Sequence, residues 1–194
     1  MIVSVVAAMV LEGTDRELVE GCRRGEREAF RVLFETYKDK VYSIALRFSG
    51  DEALAMDIAQ DTFLKLYSSI ADFRGDAQFS TWVYRLVVNS CLDHKRRSWR
   101  MIPIADELLA VLRAPGDALH SVLRTEMSEQ VQRAVEKLPA EQRIAVVLRY
   151  TEGLAYEQIA EVVGCSTGTV ASRLNRAHKA LERRLANLKG VAHV

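Results

Sequence analysis

Short hydroxyl and guanidinium side chains recur on one side of a segment near the end of the chain, and this combination suits DNA. Thr169, Ser172, Arg173 and Arg176 share one face if the residues after Ser166 form a helix. Such groups can bond base edges in a major groove and backbone phosphates. The opposite face carries apolar residues in steps of four, three, four, four and three: Val170, Leu174, Ala177, Leu181, Leu185 and Leu188. The pattern predicts one long amphipathic helix with a polar side facing DNA.

A shorter helix and a turn precede this amphipathic helix. Ile159, Ala160 and Val163 have helical spacing, and the small Ala160 would let a second helix cross closely. Gly164 can adopt the left-handed backbone that ends a helix, and Ser166 is placed to cap the next one. The segment therefore predicts a helix-turn-helix unit.

An ordinary helical hairpin with a solvated basic face would show the same periodicity as this segment. The turn residues and the basic residues that follow them favour DNA binding over that alternative. Those basic residues are Arg173, Arg176, Lys179, Arg183 and Arg184.

A second candidate helix, Leu54 to Ile70, carries one polar and one apolar stripe. The polar stripe contains Asp57, Gln60, Asp61, Leu64, Lys65 and Ser68. The apolar stripe contains Ala59, Phe63, Leu66 and Ile70. One apolar anchor among complementary charges can form a protein docking face, although a merely solvated face has the same pattern. Asp57 and Asp61 could also bind a metal, but no histidine or third carboxylate joins them, so the sequence predicts no metal site.

The segment Phe73 to Arg97 combines a polar, glycine-containing loop with a helix that has aromatic and basic residues on one side. That side contains Trp82, Arg85, Asn89, Asp93 and Arg96. Unpaired bases can stack on aromatic rings while Arg and Lys bind the strand phosphates. Core packing is the stronger interpretation for Phe79 and Val83. DNA contact and an ordinary surface position both stay open for Trp82, Asn89, Arg96 and Arg97.

Composition limits the class of protein. With 194 residues, 49% hydrophobic and 27% charged, the chain is typical of a globular protein with one ordinary domain or two small ones. A net charge of +1 argues against wrapping in nucleic acid through bulk electrostatics. Charge is nevertheless uneven, since residues 81–100 are basic and residues 51–61 acidic. Opposite surfaces should therefore meet different partners.

The three cysteines and four histidines predict neither a disulfide framework nor a zinc site. Cys22, Cys91 and Cys165 are far apart and show no Cys-x-x-Cys spacing, which fits a reducing cytoplasm. The histidines are scattered, and neither a phosphate-binding glycine loop nor a nucleophile elbow occurs. An enzyme is therefore the least favoured class.

We predict an all-α fold with two small helical domains joined by a flexible linker. Helical periodicity breaks around the prolines at 103 and 115, and alternating strand patterns do not occur. The predicted parts are an N-terminal extension over 1–14, a first domain over 15–97, a linker over 98–124 and a second domain over 125–194. If extended, the linker could reach about 90 Å at roughly 3.4 Å per residue. The apolar start lacks basic residues and is too short to span a bilayer, so we expect no signal peptide or anchor.

Three segments together resemble bacterial RNA polymerase sigma factors of the extracytoplasmic-function group. The segments are DIAQDTF, FRGDAQFSTWVYRLVVNSCLDHKRR and LPAEQRIAVVLRYTEGLAYEQIAEVVGCSTGTVASRLNRAHKAL. They match the two regions of that group, numbered two and four, in the right order and with a short linker between them. One departure is Ala155, where the group usually has a serine before the aromatic residue that opens the helix-turn-helix.

The resemblance implies three binding faces and neither a catalytic residue nor a cofactor. Docking on the clamp helices of the largest subunit of core RNA polymerase would use Asp57, Gln60, Asp61, Leu64 and Lys65. The minus-ten promoter element would be read and opened, with one base flipped out, by Arg74, Asp76, Gln78, Thr81, Trp82, Arg85, Asn89, Arg96 and Arg97. The minus-thirty-five element would be read as duplex by Thr167, Thr169, Ala171, Ser172, Arg173 and Arg176, with phosphates positioned by Arg149, Tyr156 and Lys179.

The resemblance further implies an inhibitory anti-sigma partner and a cytoplasmic location. The rival interpretation is a stand-alone regulator that binds a duplex operator as a dimer, with the first domain used for oligomerisation or sensing. Affinity for duplex DNA without polymerase separates the two interpretations, because a sigma subunit should bind promoter DNA poorly alone.

Overall fold

The computed structural model describes residues 15–100 and 126–186, and within these ranges every regular element is helical. The first group of helices comprises α1 (residues 15–23), α2 (Arg27–Ser49), α3 (Glu52–Ser69), a single 3₁₀ turn (Ile70–Asp72) and α4 (Phe79–Arg100). The second comprises α5 (Glu126–Glu136), α6 (Ala140–Tyr150), α7 (Tyr156–Val163) and α8 (Thr167–Leu185). The predicted all-α fold with two helical domains is confirmed.

The junction between α2 and α3 is set by local residues. Gly50 has φ of 73°, and its N–H donates to the Leu46 carbonyl at 2.8 Å, which ends α2. Asp51 then caps α3, because its carboxylate accepts from the Leu54 N–H at 2.8 Å. The chain therefore reverses in two residues, and α2 and α3 pack side by side.

The core of the first domain lies between α2, α3 and α4. Its fully buried side chains include Leu33, Ile44, Ile58, Leu66, Val83 and Val87. Phe79 and Val83 are buried, as the core interpretation of these residues predicts. The expected apolar stripe of α3 is also present, with Leu66 and Ile70 buried and Ala59 and Phe63 half-buried.

The core of the second domain forms where α8 crosses α6 and α7. Val170, Leu174 and Ala177 from the predicted stripe are buried against Leu148 and Ile159. Further along α8 the stripe becomes half-buried, and its last predicted member lies outside the described residues. The steps of four and three residues thus identified the buried side of the helix.

The two domains are in contact through a buried arginine. Arg143 of α6 is only 5% exposed, and one guanidinium nitrogen, Nη1, donates to the Phe48 carbonyl at the end of α2, at 2.8 Å. The same guanidinium lies 5.1 Å from the Phe48 ring centroid. Nη2 donates to the carbonyls of Leu138 and Glu136 within the second domain. One side chain therefore joins the end of α2 to the turn before α6.

The predicted linker lies mostly outside the described residues, since only its first three residues are included, as the end of α4. The predicted N-terminal extension lies wholly outside them. Among the helices that the structure describes, none is both long and apolar enough to cross a membrane.

Candidate nucleic-acid interface

The turn of the helix-turn-helix is held by the residues that predicted it. Gly164 has φ of 67°, and the next N–H, from Cys165, donates to the Ala160 carbonyl at 3.0 Å. Ser166 caps α8, because its hydroxyl accepts from the Thr169 N–H at 3.1 Å. The predicted cap and turn are both confirmed, so the start of α8 is fixed relative to α7.

The polar side of α8 is accessible and faces a cleft of about 720 Å³ shared with the start of α6. Of the residues predicted to meet the minus-thirty-five element, the exposed members on α8 are Thr167, Ala171, Arg176 and Lys179. The half-buried members on α8 are Thr169, Ser172 and Arg173. The fold therefore brings the hydroxyl and guanidinium groups to one surface.

Arg173 is held at the wall of this cleft by two neighbours. Its Nη2 pairs with the Glu141 carboxylate at the start of α6, and its Nη1 lies 3.6 Å from the Cys165 sulfur. The arginine side chain is 22% exposed and the glutamate 62%. Sequence periodicity treats Arg173 as a free group on the helix surface, whereas the structure restricts its direction through a residue from another helix.

Arg149 and Tyr156, predicted to position phosphates, contact each other. The Arg149 guanidinium lies 5.5 Å from the Tyr156 ring centroid, and its Nη1 donates to the Leu154 carbonyl at 2.9 Å. Both side chains are half-buried. This pair supports the loop that leads into α7, and its contact with phosphate stays a prediction.

The start of α7 lacks one half of its cap. The Gln158 side chain accepts from the Ala155 N–H at 2.8 Å, but Ala155 offers no oxygen to the first turn. We expect Ala155→Ser to raise the free energy of unfolding by about 1 kcal/mol without changing promoter choice. Thermal unfolding of the two proteins would measure it. Ala155→Val adds bulk without an acceptor, so equal melting temperatures for the serine and valine variants would contradict the capping argument.

The loop before α4 presents its polar residues to solvent. Arg74, Asp76 and Gln78 are exposed, and Gly75 between them has φ of 78°. Trp82 is half-buried, with ring centroids 5.2 Å from Phe73 and 5.5 Å from Phe79. The indole therefore packs in an aromatic cluster while staying partly accessible, so DNA contact and an ordinary surface position both stay open for it.

The rest of the predicted minus-ten face follows α4. Thr81 is half-buried, Asn89 is exposed, and Arg96 is exposed with Nη1 at 4.0 Å from the Asp93 carboxylate. Arg85 is not free, because it bonds Glu161 of the second domain. The main chain of Arg97 is helical, but its side chain lies outside the described part of the structure.

The polar stripe of α3 divides into free and engaged members. Asp57, Gln60 and Leu64 are exposed. The Asp61 carboxylate accepts from His94 Nε2 at 2.7 Å, and Lys65 donates to the Asp93 carboxylate at 3.2 Å. The two engaged residues therefore tie α3 to α4, and only three of the five predicted docking residues present free side chains.

An apolar groove of about 610 Å³ lies beside this stripe, between α2 and α3, and the sequence analysis missed it. Its apolar lining includes Phe30, Phe34, Met56, Phe63, Leu64 and Tyr67. Leu64 is 60% exposed and Tyr67 67%, values that are unusual for large apolar side chains. The spacing of Phe30 and Phe34 on α2 could have indicated this groove, because residues four apart lie on the same face of a helix.

Over residues 15–100 and 126–186, histidine, cysteine and acidic side chains form no cluster of three that could hold a metal. All three cysteines are free thiols. Burial raises the pKa of the Cys91 thiol to about 12, so this thiol is un-ionised at neutral pH.

Comparison with known proteins identifies both domains. Residues 33–101 match the family Sigma-70 region 2, and residues 128–181 match Sigma-70, region 4. The RNA polymerase sigma-H factor of Pseudomonas aeruginosa is 35% identical over 192 residues, which cover 93% of this chain and 98% of that protein. The ECF RNA polymerase sigma-E factor of Escherichia coli K12 is 35% identical over 186 residues, covering 90% and 96%.

A solved structure has a similar fold. CnrH, in complex with the cytosolic domain of CnrY, matches with a TM-score of 0.64 and 25% identity, over 90% of this chain and 98% of that one. The matches thus include both domains in the same order and cover nearly the whole length of the relatives. This chain belongs to the RNA polymerase sigma factors of the extracytoplasmic-function group.

Proposed function

We propose that this protein binds core RNA polymerase and directs it to promoters by reading the minus-thirty-five element as duplex and the minus-ten element as unpaired DNA. The observation that carries this proposal is the accessible hydroxyl and guanidinium face of α8, which a capped turn presents as a recognition helix. Helices held in this way place their first turns in a major groove.

The first domain supplies the second contact. The exposed Arg74 guanidinium offers a positive charge for a phosphate, and the partly accessible Trp82 ring offers a stacking surface. Each stacked base contributes about 1 to 3 kcal/mol, which offsets the cost of unpairing it. The bond-making chemistry belongs to the polymerase, so we assign this chain no catalytic residue and no cofactor.

Two further features of the proposal concern partners and location. CnrH was solved in complex with the cytosolic domain of CnrY, and we propose that this chain likewise has an inhibitory anti-sigma partner.

We propose that this chain acts in the cytoplasm, where polymerase and promoter DNA meet. The boundaries 15–97 and 125–194 are our proposed domain limits.

Run-off transcription tests the proposed function directly. Purified core polymerase, with and without this protein, would transcribe a library of DNA fragments, and the new start sites would be sequenced. We expect protein-dependent starts that share two spaced elements. Binding of the protein alone to a palindromic duplex, with no new starts, would instead support the dimeric regulator, which the family relationship does not favour.

A single arginine tests the minus-thirty-five contact. Arg176 is exposed on the recognition face of α8, whereas Arg183 lies further along the same helix. We expect Arg176→Ala to weaken promoter binding by the polymerase holoenzyme by about 1 to 3 kcal/mol. Arg183→Ala removes the same charge and should have a smaller effect. Affinities measured at several salt concentrations would check this, and equal losses for both variants would show that only total charge matters.

A further inference from the structure

A glutamate lies on the surface of the second domain that should meet DNA. Glu141, in the first turn of α6, lines the same cleft as Ser172, Arg173 and Arg176 of α8. Its side chain is 62% exposed. A negative charge at this place opposes the binding of phosphates, so the glutamate needs another physical reason to be there.

The Glu141 carboxylate restrains one arginine. Nη2 of Arg173 pairs with this carboxylate, and Nη1 lies 3.6 Å from the Cys165 sulfur. An arginine side chain has many rotamers, and restricting them on binding costs free energy. Because Arg173 is already held from α6 and from the turn before α8, less of that cost remains when it binds DNA.

The position of Arg173 around α8 points to a phosphate rather than to a base edge. Gly168, Ala171 and Asn175 are exposed and mark the outward side of the helix. Around the helix axis Arg173 lies about 140° from Gly168, at about 100° per residue, so its side chain leaves α8 on the flank that faces α6. The flanks of a helix in a major groove face the sugar–phosphate walls of that groove.

We propose that Glu141 is a positioning residue for the minus-thirty-five contact, which holds Arg173 along the wall of the cleft so that the guanidinium meets one particular backbone phosphate. The proposal rests on the proposed function of α8 as the recognition helix. A fixed phosphate contact sets the register of α8 in the groove, and the register decides which base pairs its other side chains reach. Glu141 thus contributes to sequence selection through Arg173.

One substitution separates positioning from two simpler roles of Glu141. If the carboxylate only repels DNA, Glu141→Ala tightens binding to every sequence. If it only stabilises the positive start of α6, Glu141→Ala lowers the melting temperature and leaves the phosphate contacts unchanged. If it positions Arg173, Glu141→Ala weakens promoter binding by about two- to tenfold, because the arginine must then be immobilised on binding.

Promoter fragments that each carry one neutral methylphosphonate test the phosphate contact. The fragments derive from a promoter found by run-off transcription, and the replaced phosphates surround the minus-thirty-five element. With wild-type holoenzyme, we expect one replacement beside α8 to weaken binding by about tenfold or more, and Arg173→Ala to abolish that sensitivity. Glu141→Ala should reduce the sensitivity at the same phosphate, which a role confined to the stability of α6 would not do.

Glu182→Ala is the matched control, because Glu182 is exposed further along α8 and its loss changes the charge equally. It should leave the affinity and the methylphosphonate pattern unchanged. Combined with Arg173→Ala, the Glu141→Ala substitution should weaken binding no further. Binding by Glu141→Ala as tight as that of the wild type, or an equal loss with and without Arg173, would overturn the proposal. Absence of protein-dependent start sites with the wild type would instead count against the proposed function.

Discussion

Replacing Arg143 with methionine is expected to lower the free energy of unfolding by about 3 kcal/mol or more. The side chain is 5% exposed, and its guanidinium donates hydrogen bonds to the carbonyls of Phe48, Glu136 and Leu138. A buried polar group that loses its partner costs about 1 to 3 kcal/mol, and three acceptors lose theirs here. Urea unfolding followed by circular dichroism would measure the change.

Position 143 requires both the charge and the shape of an arginine side chain. Burial lowers the pKa of its guanidinium, and the carboxylate of Glu136 partly opposes that shift. An arginine pKa lies so far above neutrality that the group stays charged there, held chiefly by carbonyl oxygens. Lysine has the charge but lacks the planar set of N–H donors that reaches several carbonyls at once. Arg143→Lys should therefore lower the free energy of unfolding by less than Arg143→Met does, but should still lower it.

An exposed arginine provides the comparison. Arg133 of α5 is 63% exposed and lies 3.9 Å from the Glu129 carboxylate, so Arg133→Met should cost less than about 1 kcal/mol. If Arg143→Met unfolds at the same urea concentration as Arg133→Met, the three carbonyls find water when the guanidinium is removed, and the arginine is not the joint between the domains.

Local signals predicted the helix-turn-helix correctly. The cap at Ser166, the left-handed Gly164 and the buried Val170, Leu174 and Ala177 all follow from the order of residues within one or two turns of helix. Such features depend on backbone geometry and on which side of a helix is apolar, and both are written in the sequence as spacing. The accessible face of α8 could therefore be predicted before the fold was known.

Contacts between distant helices could not be predicted in this way. Periodicity placed Asp61 and Lys65 on a polar stripe and Arg85 on the aromatic and basic side of its helix, and it assigned none of them a partner within the chain. The structure pairs Asp61 with His94, and Arg85 with Glu161, across 33 and 76 residues of sequence. Which polar faces meet depends on how helices cross, and spacing along one helix carries no information about that. The groove between α2 and α3 was missed for the same reason.

Leu64→Glu is expected to weaken binding to core polymerase by about 2 kcal/mol or more, near thirtyfold. The Leu64 side chain is 60% exposed on α3 at the edge of the apolar groove, with Asp57 and Gln60 beside it. An apolar anchor at the centre of an interface carries this much binding energy when truncated, and a carboxylate there would also be desolvated. Binding of fluorescent protein to core polymerase without DNA would measure the loss.

Val32→Glu is the matched control, since Val32 is a 37% exposed apolar residue on α2 of the same domain and does not line the groove. It adds the same charge to the same domain, so general repulsion or a change in folding would affect both variants. Binding by Leu64→Glu that equals the wild type would rule out this edge of α3 as the docking face. Loss by Leu64→Glu alone would place the polymerase contact at Leu64, where the polar stripe of α3 meets the apolar groove.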